Sequence, residues 1–129
     1  MSRFNLAPAQ FNNIKANLIT DDFSVVGYGY YSINLEQYSV ADVEKEWTKI
    51  INLAKTFPGF IEGKVMFPIT PLHIYDQNKG VNFEANVVAY GHWKTKKDDH
   101  RWVQGALHNG WGFNSLNPKH KVHVTMLEK

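Results

Sequence analysis

The sequence predicts an α+β fold in the order β-α-β-β-α-β behind a short N-terminal helix, and three observations carry that reading. From Phe23 to Ile33 the side chains alternate with a period of two, the spacing of a strand with two distinct faces. The run Pro58-Gly59-Phe60-Ile61-Glu62-Gly63-Lys64-Val65-Met66-Phe67 closes one helical stretch and opens a second strand. The run Tyr90-Gly91-His92-Trp93-Lys94-Thr95-Lys96-Lys97-Asp98-Asp99-His100-Arg101-Trp102 carries an alternating strand through a polar corner into an amphipathic helix. One strand-helix-strand unit is thus used twice within 129 residues, a length that suits a single domain.

Residues 1–20 read as an N-terminal extension, because Phe11, Ile14 and Leu18 recur at helical spacing behind Pro8. Residues 21–129 form the domain. Its first strand places Phe23, Val25, Gly27, Gly29, Tyr31 and Ile33 on one side and Val26, Tyr28, Tyr30, Ser32 and Asn34 on the other. Two glycines on one face leave room for a helix, a bulge or a ligand to approach the backbone. Ser39-Val40-Ala41-Asp42 has the spacing of a capping box, with Asp in place of Glu, and starts a helix from about Val40 to Lys55. Val43, Trp47, Ile50, Ile51 and Ala54 form its apolar stripe.

Strand 2 covers Phe60 to Phe67. Pro68, Pro71, Asp76, Asn78 and Gly80 mark a loop or hairpin arm in which Leu72 to Tyr75 can form a short extra strand. Strand 3 spans about Val81 to Trp93, with Glu84, Asn86, Val88, Tyr90 and His92 on one side. Thr95 caps the second helix, whose buried stripe is Trp102, Val103, Ala106 and Leu107, and His120 to Leu127 alternates as the last strand. The order is that of a ferredoxin-like domain: a four-stranded antiparallel sheet carrying two helices on one face. The uncovered face, bearing Tyr28 and Tyr30, calls for a cofactor, a nucleic acid or a second subunit, and a face-to-face homodimer is the commonest solution.

Composition narrows the function classes. Hydrophobic residues make up 43% and aromatic residues 14%, enough to bury a core. The net charge is +2 and the basic residues are dispersed, so a nucleic-acid partner is not expected; Glu62-Gly63-Lys64-Val65 also lacks the basic-Gly-aromatic pattern of RNA-recognition sheets. Cysteine is absent, which excludes disulfides, thiolate metal sites and thiol catalysis. No apolar run approaches the roughly 20 residues of a membrane helix, and nothing at the N-terminus has the pattern of a signal peptide, so a soluble cytoplasmic protein is expected. No phosphate loop or serine elbow is present.

Trp47 in helix 1, Pro58-Gly59-Phe60 before strand 2, and His92-Trp93-Lys94-Thr95-Lys96 leading to Trp102 together resemble the antibiotic biosynthesis monooxygenase-like proteins of the dimeric α+β-barrel class, which include heme-degrading monooxygenases. The resemblance spans about Val25 to Leu127. It implies a dimer whose sheets pack into a barrel, each subunit holding a pocket between sheet and helices. It also implies oxidation of phenols, anthrones or quinols by dioxygen, often without metal or flavin. In the heme-degrading branch a strand-1 Asn, a helix-2 Trp and a His ten residues beyond that Trp carry the reaction. Trp102 matches the Trp, but His108 stands six residues on and Gly112 occupies the tenth position, while Asn34 does not clearly match the Asn. Heme is therefore disfavoured as a cofactor, and none is expected.

Six histidines invite a metal, yet their spacing offers no chelating pair: His120 and His123 point to opposite faces of a strand, and His100 and His108 lie two helical turns apart. No metal site is expected. His108, near Trp111 and Phe113, would take the proton of a phenolic substrate, or else would only hydrogen-bond at a helix end. Tyr28, Tyr30 and Asn34, with Asn86, Tyr90 and His92, would line one cavity or, as an alternative, a tyrosine-rich dimer interface.

The expected function is a homodimeric, cofactor-independent monooxygenase acting on a small aromatic molecule. Its catalytic residues would be His108, His92 and Asn34. Its substrate-binding residues would be Tyr28, Tyr30, Asn86, Tyr90, Trp102 and Trp111. The alternative is a non-catalytic barrel protein that binds a ligand or partner.

Overall fold

In the computed structural model the structure describes residues 23–107 and 112–128. The expected N-terminal helix, His108 and Trp111 lie outside the described residues. In chain order the elements are β1 (Ser24–Ser32), α1 (Val40–Ala54), β2 (Phe60–Met66), β3 (Leu72–Asp76), β4 (Val81–Ala85), β5 (Val87–Trp93), α2 (Lys96–Leu107), a 3₁₀ turn (Asn114–Leu116) and β6 (His120–Glu128). The main sheet has the order β2-β5-β1-β6, and each neighbouring pair is antiparallel. This is the ferredoxin-like arrangement expected from the alternation of periods.

The capping box at the start of α1 forms as the spacing predicts. The Ser39 hydroxyl accepts a hydrogen bond from the Asp42 N–H at 3.1 Å, and the Asp42 carboxylate accepts one from the Ser39 N–H at 2.9 Å. Two backbone donors that the helix cannot satisfy itself are paired in this way. The helix buries Val43, Ile50 and Ala54. After it, Gly59 takes a φ of +81°, a conformation that a side chain would strain, and turns the chain into β2. At the start of α2 the Thr95 hydroxyl accepts from the Asp98 N–H at 3.1 Å, again as the sequence implies.

Strand 3 is the correction. It does not run unbroken from Val81 to Trp93 but divides at Asn86 into β4 and β5. The Asn86 side chain donates to the Ile33 carbonyl at 2.7 Å and accepts from the Ile33 N–H at 2.9 Å, while its own N–H donates to the Tyr31 carbonyl at 2.9 Å. A side-chain amide thus replaces one rung of the backbone ladder at the end of β1. On the β4 side of that point the chain lies outside the main sheet, and β4 pairs with β3 as a separate hairpin from Leu72↔Ala85 to Asp76↔Val81. The buried Asp76 closes the hairpin turn by accepting from the N–H groups of Asn78 and Lys79.

Both helices pack on the same side of the sheet. Val43, Ile50 and Ala54 of α1 and Trp102 of α2 share one core with Tyr31, Val87, Ala89 and Trp93. Strand alternation therefore fixes the odd-numbered residues of β1, β5 and β6 toward the helices and the even-numbered ones toward the open face. Among the described residues, no helix is long and apolar enough to cross a membrane.

Candidate active site

Three glycines lie side by side across the sheet: Gly63 of β2 pairs with Gly91 of β5, which pairs with Gly27 of β1. On β1, Gly29 follows on the same face. Gly63 is covered by Ile51 and Trp47, but at Gly27, Gly29 and Gly91 the missing side chains lower the floor between sheet and helices, and a cavity of about 50 Å³ opens above them, room for roughly four waters. The walls are aromatic. Trp93 and Trp102 stack with ring centres 5.6 Å apart, Phe60 packs edge-on to Trp93, and Phe57 packs edge-on to Trp102. On the opposite side Trp47 stacks on Phe113, which is fully buried and held at a positive φ of 62°.

Among the described residues few polar side chains border this space, and those of the strands are placed by backbone register. The Tyr31 side chain folds back over Gly29, so that a Cβ there would overlap its hydroxyl. The hydroxyl oxygen lies 2.9 Å from Nε2 of His123, the residue paired with Gly29 across β1 and β6. Burial pushes the Tyr31 hydroxyl well above its ordinary pKa. His123 is exposed as an edge-strand residue, but its ring turns inward and packs edge-on to Tyr31 at 5.6 Å. Burial of the ring, aided by the Lys121 charge, lowers its pKa to about 4. Near neutral pH the pair is an uncharged phenol beside an uncharged imidazole, so it offers hydrogen bonds without acting as a strong base.

Asp99 is a further polar group of the cavity. It is 7% exposed, projects from the first turn of α2, and its Oδ1 lies 3.2 Å from where a Cβ on Gly27 would stand. Burial raises its pKa, and the neighbouring His100 opposes that only in part. Among the described residues, no hydrogen-bond donor to its carboxylate is present. Thr125 stands beside it in the row, since Thr125 pairs with Gly27. All these groups, with Trp102, border the cavity.

The sequence-predicted residues are divided by the sheet. Trp102 stands in the cavity wall. Tyr28 and Tyr90 border the cavity at the level of its floor, but their rings belong to the open face, where Tyr28 packs on Tyr30 at 6.3 Å and on Tyr90 at 5.8 Å. There the Tyr90 hydroxyl donates to Glu62 at 3.4 Å. His92 is also on that face, its Nε2 2.8 Å from the Ser24 hydroxyl and 3.8 Å from the Glu128 carboxylate. The reason is parity: with Ala89, Gly91 and Trp93 turned to the helices, Tyr90 and His92 must turn away. Asn34 is not on β1 but in the exposed turn after it, where its side chain accepts from the Glu36 N–H at 3.0 Å. Asn86 is occupied by Ile33. Asn34, Asn86, Tyr30 and His92 therefore do not border the cavity.

Asp99, Tyr31 and His123 belong to no motif that sequence reasoning picks out, and only Asp99 carries a local trace. It stands three and four residues before Trp102 and Val103, the spacing that puts it on the buried stripe of α2.

No family model matches the sequence, and no curated protein matches it. Among solved structures the chain is similar to SnoaB of Streptomyces nogalater, described as a cofactor-independent oxygenase. To a single-site mutant of SnoaB it is 14% identical with a TM-score of 0.55, over 82% of this chain and 93% of that one. The unmutated SnoaB structure gives 12% and 0.53, over 83% and 94%. A candidate monooxygenase of Shewanella loihica PV-4 gives 11% and 0.51, over 82% and 92%. The chain thus shares the fold of these structures.

Proposed function

We propose that this protein is a cofactor-independent monooxygenase that oxidises a small aromatic substrate, of the quinol, anthrone or polyketide-like kind, with dioxygen. The observation that carries the reading is the cavity: an aromatic-walled space over a glycine floor, bordered by a carboxylate and a tyrosine-histidine pair. A planar ring stacks between such walls, and their exclusion of water strengthens every polar contact made inside. An electron-rich ring can itself supply the electrons that dioxygen needs, one oxygen atom entering the substrate and the other leaving as water. The likeness in fold to a protein described as a cofactor-independent oxygenase supports the absence of a cofactor, with heme as the disfavoured alternative.

The protein acts as a homodimer in this reading, the open sheet faces of two copies meeting through Tyr28, Tyr30 and Tyr90. The exposed Met66, Val124 and Met126 lie on that same face and give it the apolar surface such an interface uses. The absence of cysteine suits the reducing cytoplasm. His108 stays a candidate proton acceptor, tested by His108→Ala.

The test is oxygen uptake by the purified protein with a panel of hydroquinones, with anthrone and with heme, followed by mass spectrometry of the product formed under labelled dioxygen. Uptake with one labelled atom in the product is the expected result. Binding of an aromatic ligand without uptake would turn the reading to the non-catalytic binder.

A further inference from the structure

We infer that the Asp99 carboxylate is the proton acceptor of this cavity and that the substrate it receives is a one-ring aromatic carrying an acidic hydroxyl. The inference rests on the monooxygenase reading for the step that follows proton removal, but not for the recognition of the hydroxyl.

Three features of the site lead to it. Asp99 is more than nine-tenths buried, yet its carboxylate is directed at the cavity floor over Gly27 and has no hydrogen-bond donor among the described residues. Among the described residues no side-chain oxygen is both sealed from solvent and without a partner, so the Asp99 oxygens stay open to the cavity, where the O–H of a ligand can reach them. Second, among the described residues Asp99 is the acidic side chain bordering the cavity, where Tyr31 and His123 are held as a neutral hydrogen-bonded pair. Of the groups present, a carboxylate made more basic by burial is the better acceptor for a phenolic proton, while the pair is suited to receive a second oxygen or dioxygen. Asp99 and the Tyr31 hydroxyl stand over Gly27 and Gly29, two residues apart on one strand face and so roughly 6–7 Å apart along it. Third, the cavity of about 50 Å³ is smaller than the roughly 150 Å³ that takes up benzene, so of the candidate substrates it favours one ring over three fused ones.

The chemistry balances without a further reactant. The ring hydroxyl gives its proton to Asp99, and the resulting phenolate, richer in electrons, reduces dioxygen. For hydroquinone the net reaction is hydroquinone plus dioxygen to hydroxybenzoquinone plus water. A C–H bond becomes a C–O bond, the two hydroxyls become carbonyls, and the four electrons lost by the ring reduce both oxygen atoms. The proton held on Asp99 leaves with the water.

The test uses the full-length protein and two ligands, hydroquinone and its dimethyl ether, which has the same ring and no proton to give. Binding is read by calorimetry and turnover by oxygen uptake, for wild type, Asp99→Asn and Asp99→Ala. Wild type is expected to bind hydroquinone at least tenfold more tightly than the ether. That ratio should fall toward one in Asp99→Ala, and uptake should fall about 100-fold or more in Asp99→Asn. Equal binding of the two ligands by wild type, or uptake unchanged in Asp99→Asn, would overturn the inference while leaving the monooxygenase reading in place. A tenfold preference that depends on Asp99, without uptake by wild type, would overturn the monooxygenase reading and keep the recognition of the hydroxyl. If Asp99→Ala does not fold, Asp99→Asn carries both measurements, since it keeps the shape and removes the charge.

Discussion

A methyl group added at Gly29 would overlap the Tyr31 hydroxyl, and the Tyr31 ring cannot move aside without breaking its contact with His123. Gly29→Ala is therefore expected to lower stability by about 1–3 kcal/mol, the usual cost of overpacking, as measured by urea denaturation. Asp99→Asn should do the reverse and raise the melting temperature, because burial of Asp99 disfavours its charged form; a drop instead would mean that the carboxylate has a partner in solution. His123 makes a pH prediction whose sign follows from its lowered pKa. Among the described residues, the groups bearing on it are Tyr31, which is protonated throughout the acid range, and Lys121, whose positive charge opposes its protonation. Above pH 6.5 neither the folded nor the unfolded chain holds a proton on this ring, and its contribution to stability is complete. Between about 6.5 and about 4 the unfolded chain takes up a proton that the folded chain refuses, so stability falls as the pH is lowered through this window. Melting temperatures of wild type and His123→Gln between about pH 4 and 7 should show the steeper decline in wild type.

At the scale of elements, Asn86 decides where the long third strand ends. Replacing it with Ala leaves the Ile33 N–H and carbonyl without their partners, with an expected cost of about 1–3 kcal/mol in urea denaturation. The division is not legible in the sequence, because the alternation runs through Asn86 unbroken and the partner that redirects the chain is 53 residues away. Local signals are legible. The capping box at Ser39, the cap at Thr95 and the turn at Gly59 depend only on residues within one helical turn, and each forms in the expected place. The candidate site differs in kind. Trp102 follows from helical spacing, whereas His123 meets Tyr31 only because β6 pairs with β1 in one register, and a single-residue slip would send it to the other face. Strand parity groups the tyrosines and His92 with one another, but it does not say which side of the sheet the helices cover, and they stand on the side away from the cavity.

For the whole molecule, the sheet divides two tasks. Its helix side holds the cavity, and its open side carries a tyrosine cluster and exposed apolar groups that a single copy leaves in water. Sedimentation of the purified protein should show a dimer, and Met126→Lys, which sets a charge on that face, should shift it toward a monomer while leaving the circular dichroism spectrum unchanged. A wild-type monomer would remove the barrel from the proposed function.

Gly27 gives the molecule one further property. A side chain there would meet the tip of Asp99 and little else, in contrast to Gly63, where it would strike the Tyr90 backbone. The height of the cavity floor is thus set by a residue that can change without disturbing the sheet. A lineage of such proteins could pass from larger to smaller ligands by steps of one methyl group at this position, and a laboratory could retrace the same path.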